Sequence, residues 1–84
     1  MTLIVCQPGV WTAIPDDGSD TLIAATERGL LIDTTGALSF ANRGQAYQLP
    51  GGQAMVVSAS VITAGVQVTP ANALKATTVR YAPV

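Results

Sequence analysis

The sequence has 84 residues, enough for one domain whose core is marginal, because a chain of this size buries only about 60–65% of its unfolded surface. Charged residues make up 11% of the chain, and the net charge of −1 provides no basic surface for nucleic acid. Cys6 is the single cysteine and histidine is absent, which excludes an intrachain disulfide and argues against a zinc site. Small domains are usually stabilised by disulfides, a metal ion or oligomerisation, so oligomerisation is the source of stability that remains for this chain.

Turn-forming residues recur at short intervals between Pro8-Gly9 and Thr69-Pro70, and the runs between them are rich in Val, Ile, Leu and Thr. This spacing predicts an all-β fold, a small antiparallel β-sandwich or barrel that forms a single domain over 1–84. In chain order the predicted strands are Thr2–Cys6, Val10–Ile14, Thr21–Thr26, Leu30–Asp33, Ala37–Ala41, Ala46–Leu49, Ala54–Thr63, Gly65–Thr69 and Ala76–Ala82.

Alternation assigns faces to the last predicted strand. Thr77, Val79 and Tyr81 share one face, and the residues between them share the other. The run Met55-Val56-Val57 does not alternate. It therefore predicts a strand that is covered on both faces, by a second sheet or by a neighbouring subunit.

Local turn chemistry gives four further expectations. Pro8-Gly9 and Pro50-Gly51 both fit the central positions of a type II turn. Asn42 to Gly44 is expected to close a hairpin with Gly44 left-handed. Thr69-Pro70 is compatible with the start of a short helix over Ala71 to Ala76, or with an irregular loop or strand edge.

The residues that catalysis usually requires are missing. Without histidine there is no Ser-His-Asp or Cys-His arrangement, and no glycine-rich phosphate-binding motif is present. Cys6 follows Leu3, Ile4 and Val5, which favours a buried, unreactive thiol. The sequence predicts a protein that is not an enzyme, has no catalytic residues and needs no cofactor or metal.

The acidic turn Asp16–Asp20 allows two interpretations. Its three carboxylates around Gly18 resemble a set of oxygen ligands for Ca²⁺, although their spacing is not that of an EF-hand loop. The alternative is a solvated turn whose aspartates accept hydrogen bonds from the local backbone.

A tract from Gly44 to Leu74 contains no charged residue. Natural β-proteins protect exposed sheet edges with charges, so this tract predicts surfaces that are covered in a native assembly as well as part of the core. The alternative is that the tract forms the core of the domain alone. The apolar run Ala54 to Val68 within it is too short and too polar to cross a bilayer. No signal peptide is expected in Met1 to Cys6, since a basic region and a long apolar region are lacking.

Aromatic, apolar and arginine side chains are the expected contacts of such an assembly. The predicted core or interface anchors are Trp11, Phe40, Tyr47, Met55, Val57 and Tyr81. The predicted polar rim contacts are Arg28, Arg43 and Arg80. A different class of function, a carbohydrate- or surface-binding module, would use Trp11, Tyr47 and Tyr81 as a stacking platform.

The order of strands and turns resembles the small β-sandwich proteins of tailed-bacteriophage virions. The resemblance lies in Val10-Trp11-Thr12, Gly18–Thr21, Gly29–Ile32 and Leu49–Gln53. It implies a capsid decoration or cement protein, a homo-oligomer and most often a trimer, that binds a major capsid protein. A neck, tail or fibre-attachment component is the alternative within the same class. Such a protein is made in the host cytoplasm and resides on the capsid surface.

Overall fold

In the computed structural model, which describes residues 2–84, the chain folds into two four-stranded antiparallel sheets. The strands are β1 (Thr2–Cys6), β2 (Thr12–Ala13), β3 (Thr21–Ala25), β4 (Leu30–Asp33), β5 (Tyr47–Leu49), β6 (Ala54–Val57), β7 (Gln67–Pro70) and β8 (Thr77–Pro83). A 3₁₀ segment, Phe40–Gln45, precedes β5, and one short helix, α1 (Ala59–Ala64), lies between β6 and β7. The small all-β sandwich that the sequence predicts is confirmed.

The first sheet has the strand order β1-β8-β3-β6 and the second has the order β2-β7-β4-β5. Within the described chain, only β4 and β5 are both consecutive in sequence and paired in a sheet. The core lies between the two sheets, where apolar side chains from both are almost completely buried. Its members are Cys6, Ile14, Ile23, Ala25, Leu30, Ile32, Leu49, Val57, Ile62, Val66, Val68 and Val79.

The predicted strand Ala37–Ala41 is wrong. The Asp33 carboxylate accepts hydrogen bonds from the backbone N–H groups of Thr35 and Leu38, and this holds the chain in a loop. The predicted hairpin at Asn42–Gly44 is also wrong, because the 3₁₀ segment occupies these residues. Gly44 is not among the glycines with positive φ.

The predicted strand Ala54–Thr63 is wrong in its second half. The strand ends at Val57, and Ala59–Ala64 is helical. The first N–H of this helix, on Ala59, donates to the side chain of Asp20, 39 residues earlier. Gly65, with φ +118°, follows the helix and returns the chain to β7.

The remaining elements lie close to their predicted places. Gly9 has φ +86°, as the predicted type II turn requires. The turn at Pro50 is shifted by one residue: Gln53 N–H donates to Pro50 O, and Gly52 rather than Gly51 has positive φ, at +80°. Pro70 ends β7 and no helix follows it, so the helix alternative for this segment is wrong and the loop or strand-edge alternative is the right one.

Candidate interaction surface

The outward face of the first sheet is a mostly apolar surface that the strand order assembles. Strand alternation and pairing place nine residues on it: Leu3, Val5, Leu22, Ala24, Ala54, Val56, Thr78, Arg80 and Ala82. We call this surface the bare face. Of its nine residues one, Arg80, is charged.

The register arranges the bare face in rows across the strands. Leu3, Arg80, Ala24 and Ala54 stand opposite one another in one row. Ala82, Leu22 and Val56 form the next row, and Val5 and Thr78 begin a third. Residues directly opposite on antiparallel strands lie about 5 Å apart, so these side chains are neighbours, although Ala24 itself is only 7% exposed.

Three of the four larger apolar side chains of this surface are exposed to solvent, and the fourth, Leu22, is half-buried. Leu3 is 60% exposed, Val5 58% and Val56 55%. Single exposed apolar residues are ordinary, but several of them on one sheet face make that face a candidate interaction surface. The expectation that Met55-Val56-Val57 is covered on both faces is therefore not met within the chain, since Val57 is buried and Val56 is not. Cover by a neighbouring subunit, the other alternative, stays a prediction.

The outward side of the second sheet differs from the bare face, because aromatic and polar groups order the segment next to it. Trp11, just before β2, meets Phe40 edge to face, with ring centroids 6.3 Å apart and an interplanar angle of 76°. The Arg43 guanidinium lies 4.4 Å from the centre of the Phe40 ring and donates to Phe40 O at 3.1 Å. A cation over an aromatic face and an edge-to-face pair are both attractive.

Asp33, at the end of β4, anchors the segment that leads to Phe40. Its Oδ1 accepts hydrogen bonds from the N–H and hydroxyl of Thr35, and its Oδ2 accepts from Leu38 N–H and from Gln67 Nε2. Burial raises the pKa of Asp33, but these hydrogen bonds to the carboxylate outweigh burial and lower the pKa overall. The carboxylate is therefore a structural anion at neutral pH.

A groove of about 460 Å³ adjoins one corner of the bare face. Leu3 and Thr78 line its side toward the bare face, and Glu27 and Arg28 line its end. Glu27 and Arg28 lie in an exposed bend. The groove adds two opposite charges to the margin of an otherwise apolar surface.

The residues that the sequence predicted as core or interface anchors lie in separate parts of the fold. Val57 is in the core, and Met55 and Tyr81 are half-buried on the inward face of the first sheet. Tyr47 is exposed on β5, at the opposite edge of the second sheet from β2, which Trp11 precedes. Trp11, Tyr47 and Tyr81 therefore do not form a common platform for stacking a sugar.

The three arginines occupy three different settings. Arg43 packs on Phe40, Arg28 is at the groove, and Arg80 lies within the bare face between Leu3 and Ala24. The sequence did not single out Leu3, Val5 or Leu22. Leu3 and Val5 alternate with Ile4 and Cys6 along β1, and this alternation would have shown that one of the two sets faces outward.

The carboxylates of the acidic turn Asp16–Asp20 accept hydrogen bonds from backbone N–H groups. Asp16 and Asp17 accept hydrogen bonds from Gly18 N–H and Ser19 N–H, and Asp20 accepts one from Ala59 N–H. In residues 2–84 no three acidic or thiol side chains converge closely enough to hold a metal ion. Cys6 is fully buried, as expected, and this burial raises the pKa of its thiol more than a hydrogen bond with Thr12 lowers it.

The fold and this surface define a class: a small two-sheet β-sandwich with one bare apolar sheet face. Comparison with models of protein families, with curated proteins and with solved structures finds no match. Over residues 2–84, no helix has the length and apolar character needed to cross a membrane.

Proposed function

We propose that this protein is a non-enzymatic structural component of a bacteriophage virion, a capsid decoration protein that stabilises the shell through oligomeric contacts. The observation that carries the assembly role is the bare face, where Leu3, Val5 and Val56 are each more than half exposed in the single chain. The virion setting is supported by the resemblance of the strand and turn order to small virion proteins.

The size of the bare face favours a homo-oligomer over a single bound chain. Four strands of about five residues, with spacings of about 4.8 Å between strands and 3.3 Å along them, outline roughly 320 Å². Even if the whole outline were exposed and apolar, burying it would contribute at most about 8 kcal/mol at about 25 cal/mol per Å². Association itself costs about 4–15 kcal/mol, so one copy alone binds weakly. Several linked copies overcome this cost because each further contact is intramolecular.

The charge distribution suits permanent apolar contacts. Arg80 is the one charge within the bare face, and Glu27 and Arg28 stand at its corner. Arginine is enriched at protein interfaces, and charges at the margin select the partner and its orientation.

Density-gradient sedimentation of particles from cells that produce both the phage and a tagged copy of this chain tests the proposal. The chain is expected to sediment with the capsids, in a copy number comparable to that of the capsomers. A chain that stays at the top of the gradient would contradict it. A chain found only in tail or neck fractions would also contradict the decoration role.

Two matched variants connect this experiment to the bare face. Val56→Lys adds a charge to the bare face and is expected to release the chain from the particle. Leu74→Lys adds the same charge at a loop residue that is 87% exposed and lies off the bare face, and is expected to sediment as the wild type does. Equal binding by both variants would exclude the bare face as the contact.

A further inference from the structure

The free edges of the two sheets differ in how they are protected. The second sheet ends in β2, with two residues, and in β5, with three residues followed at once by Pro50. Short strands and proline at an edge discourage pairing with another chain. The first sheet ends in β1, with five residues, and in β6, with four, and neither contains charge, proline or glycine. The first sheet therefore has the edges that invite a partner strand.

Of these two edges, β1 offers more to a partner. Throughout residues 2–84, no backbone hydrogen bond reaches Thr2–Cys6 apart from its ladder with β8. On the outward face β1 carries two branched apolar side chains, Leu3 and Val5, both more than half exposed. On the same face β6 carries only one such side chain, Val56, beside Ala54.

We infer that β1 pairs antiparallel with β1 of a second copy of this chain about a two-fold axis through Ile4. In this register Leu3 of each copy stands opposite Val5 of the other. The inference rests on the proposed function and deepens it by naming the first partner of the bare face.

Face continuity and cross-strand packing select this register. Pairing Leu3 with Val5 keeps both bare faces on the same side of a continuous eight-stranded sheet. A slip by one residue would turn one bare face to the opposite side, because side chains alternate along a strand. The chosen register also places branched apolar side chains opposite each other at both positions, with no like charges opposed.

Electrostatics permits the pairing. Arg80 lies on β8, one strand in from β1, so three strand spacings of about 4.8 Å separate the two Arg80 rows. This distance of about 14 Å exceeds the Debye length of about 8 Å at physiological salt, so the repulsion is screened.

The pairing also enlarges the surface that the virion role requires. Two joined bare faces outline roughly 640 Å², estimated from the same strand spacings. An apolar surface of that extent is larger than most monomers expose, and it offers a broad platform to a capsid. A two-fold pair closes at two copies, so it gives a dimer where the resemblance alone implies a trimer.

Sedimentation equilibrium of the full chain tests the stoichiometry. The expected mass is twice the 8.6 kDa of the chain. Val5→Lys is expected to sediment as a monomer, whereas Val56→Lys and Leu74→Lys are expected to remain dimers. A monomeric or trimeric wild type, or a dimer unaffected by Val5→Lys, would overturn the inference.

Cysteine cross-linking tests the register and does not depend on a destabilising charge. Leu3→Cys and Val5→Cys chains are prepared separately, mixed, allowed to exchange and oxidised. Opposite positions approach to about 5 Å, whereas position 3 is offset from position 3 of the other copy by two residues. We expect the mixture to cross-link in higher yield than either variant alone. A mixture no better than the single variants would overturn the inference.

The failures of the two proposals are distinguishable. A monomeric wild type that still sediments with capsids would overturn the strand pairing and leave the virion role standing. A cross-linked dimer that never sediments with capsids would overturn the virion role and leave the pairing standing.

Discussion

Asp33 and Gln67 lie opposite each other on β4 and β7, and their side chains are joined by a 2.9 Å hydrogen bond from Nε2 to Oδ2. The same Nε2 also donates to Leu38 O. Two neighbouring strands of the second sheet and the loop that leads to Phe40 thus share one buried polar network.

Replacing Asp33 is expected to destabilise the fold. Asp33→Ala leaves the N–H groups of Thr35 and Leu38 and the Gln67 amide without their acceptor, so we expect a loss of about 2–4 kcal/mol in the free energy of unfolding. Urea unfolding at pH 7 measures it. A loss below about 0.5 kcal/mol, the usual effect of a surface substitution, would contradict this role.

The contribution of Asp33 should depend on pH in one direction. Its pKa is lowered from the ordinary 3.8 by folding, so its stabilising effect is present above 3.8 and is lost as the pH falls through the lower folded pKa. The difference in unfolding free energy between the wild type and Asp33→Asn should therefore be constant from pH 7 to about pH 5 and shrink at lower pH. A difference that grows as the pH falls would contradict the lowered pKa of Asp33.

Asp20 should stabilise α1 from a distance. Asp20→Ala removes the acceptor of Ala59 N–H, a 2.8 Å bond, and is expected to cost about 1 kcal/mol, as the loss of a helix cap does. Asp20→Asn keeps a carbonyl oxygen and is expected to lose less. Urea denaturation of both variants measures the effect, and an Asp20→Ala chain as stable as the wild type would show that the bond contributes nothing.

The hydrogen bond between Ala59 N–H and Asp20 also explains why the sequence predicted a strand where α1 forms. Val61, Ile62 and Thr63 are β-branched and follow a genuine strand, so local preference favours continued strand. The helix N-terminus is satisfied by a residue 39 positions earlier, which no local pattern reveals. The same holds for the predicted strand Ala37–Ala41, because Phe40 packs against Trp11, which is distant in sequence, and against Arg43.

Gly51 is the glycine whose replacement should be most damaging. A Cβ there would lie 2.6 Å from the carbonyl oxygen of Glu27, whereas at Gly44 it would meet no atom within 4 Å. We expect Gly51→Ala to cost about 1–3 kcal/mol through this backbone clash, which corresponds to a fall in Tm of at least about 4 °C. Gly44→Ala is the matched control and should leave the Tm nearly unchanged. Equal melting temperatures for the two variants would contradict the close approach.

Cys6 should be protected from thiol reagents. The side chain is fully buried and burial raises the pKa of its thiol, so both access and thiolate are limited. Alkylation of the folded chain should proceed only as fast as the fold opens, and in denaturing urea it should become rapid. Mass spectrometry of iodoacetamide adducts over time measures both rates. Rapid modification of the folded chain would contradict the burial.

The sequence predicted the fold class and most strands, because β-branched runs and turn residues are local signals. It could not locate the bare face, which the strand order assembles from distant segments. Of the charge-free tract from Gly44 to Leu74, only Ala54 and Val56 lie on that face. Much of the rest of the tract, including Leu49, Ile62 and Val68, is core.

Hydroxyl-radical footprinting of the free chain and of the chain in purified particles tests the central claim most directly, because it reports which side chains the assembly covers. Labelling of Leu22 and Val56, on the bare face, should fall sharply in the particle, and labelling of Leu74, off that face, should stay the same. Equal labelling of Leu22 and Val56 in both states would contradict the claim that the bare face is the surface through which this protein assembles.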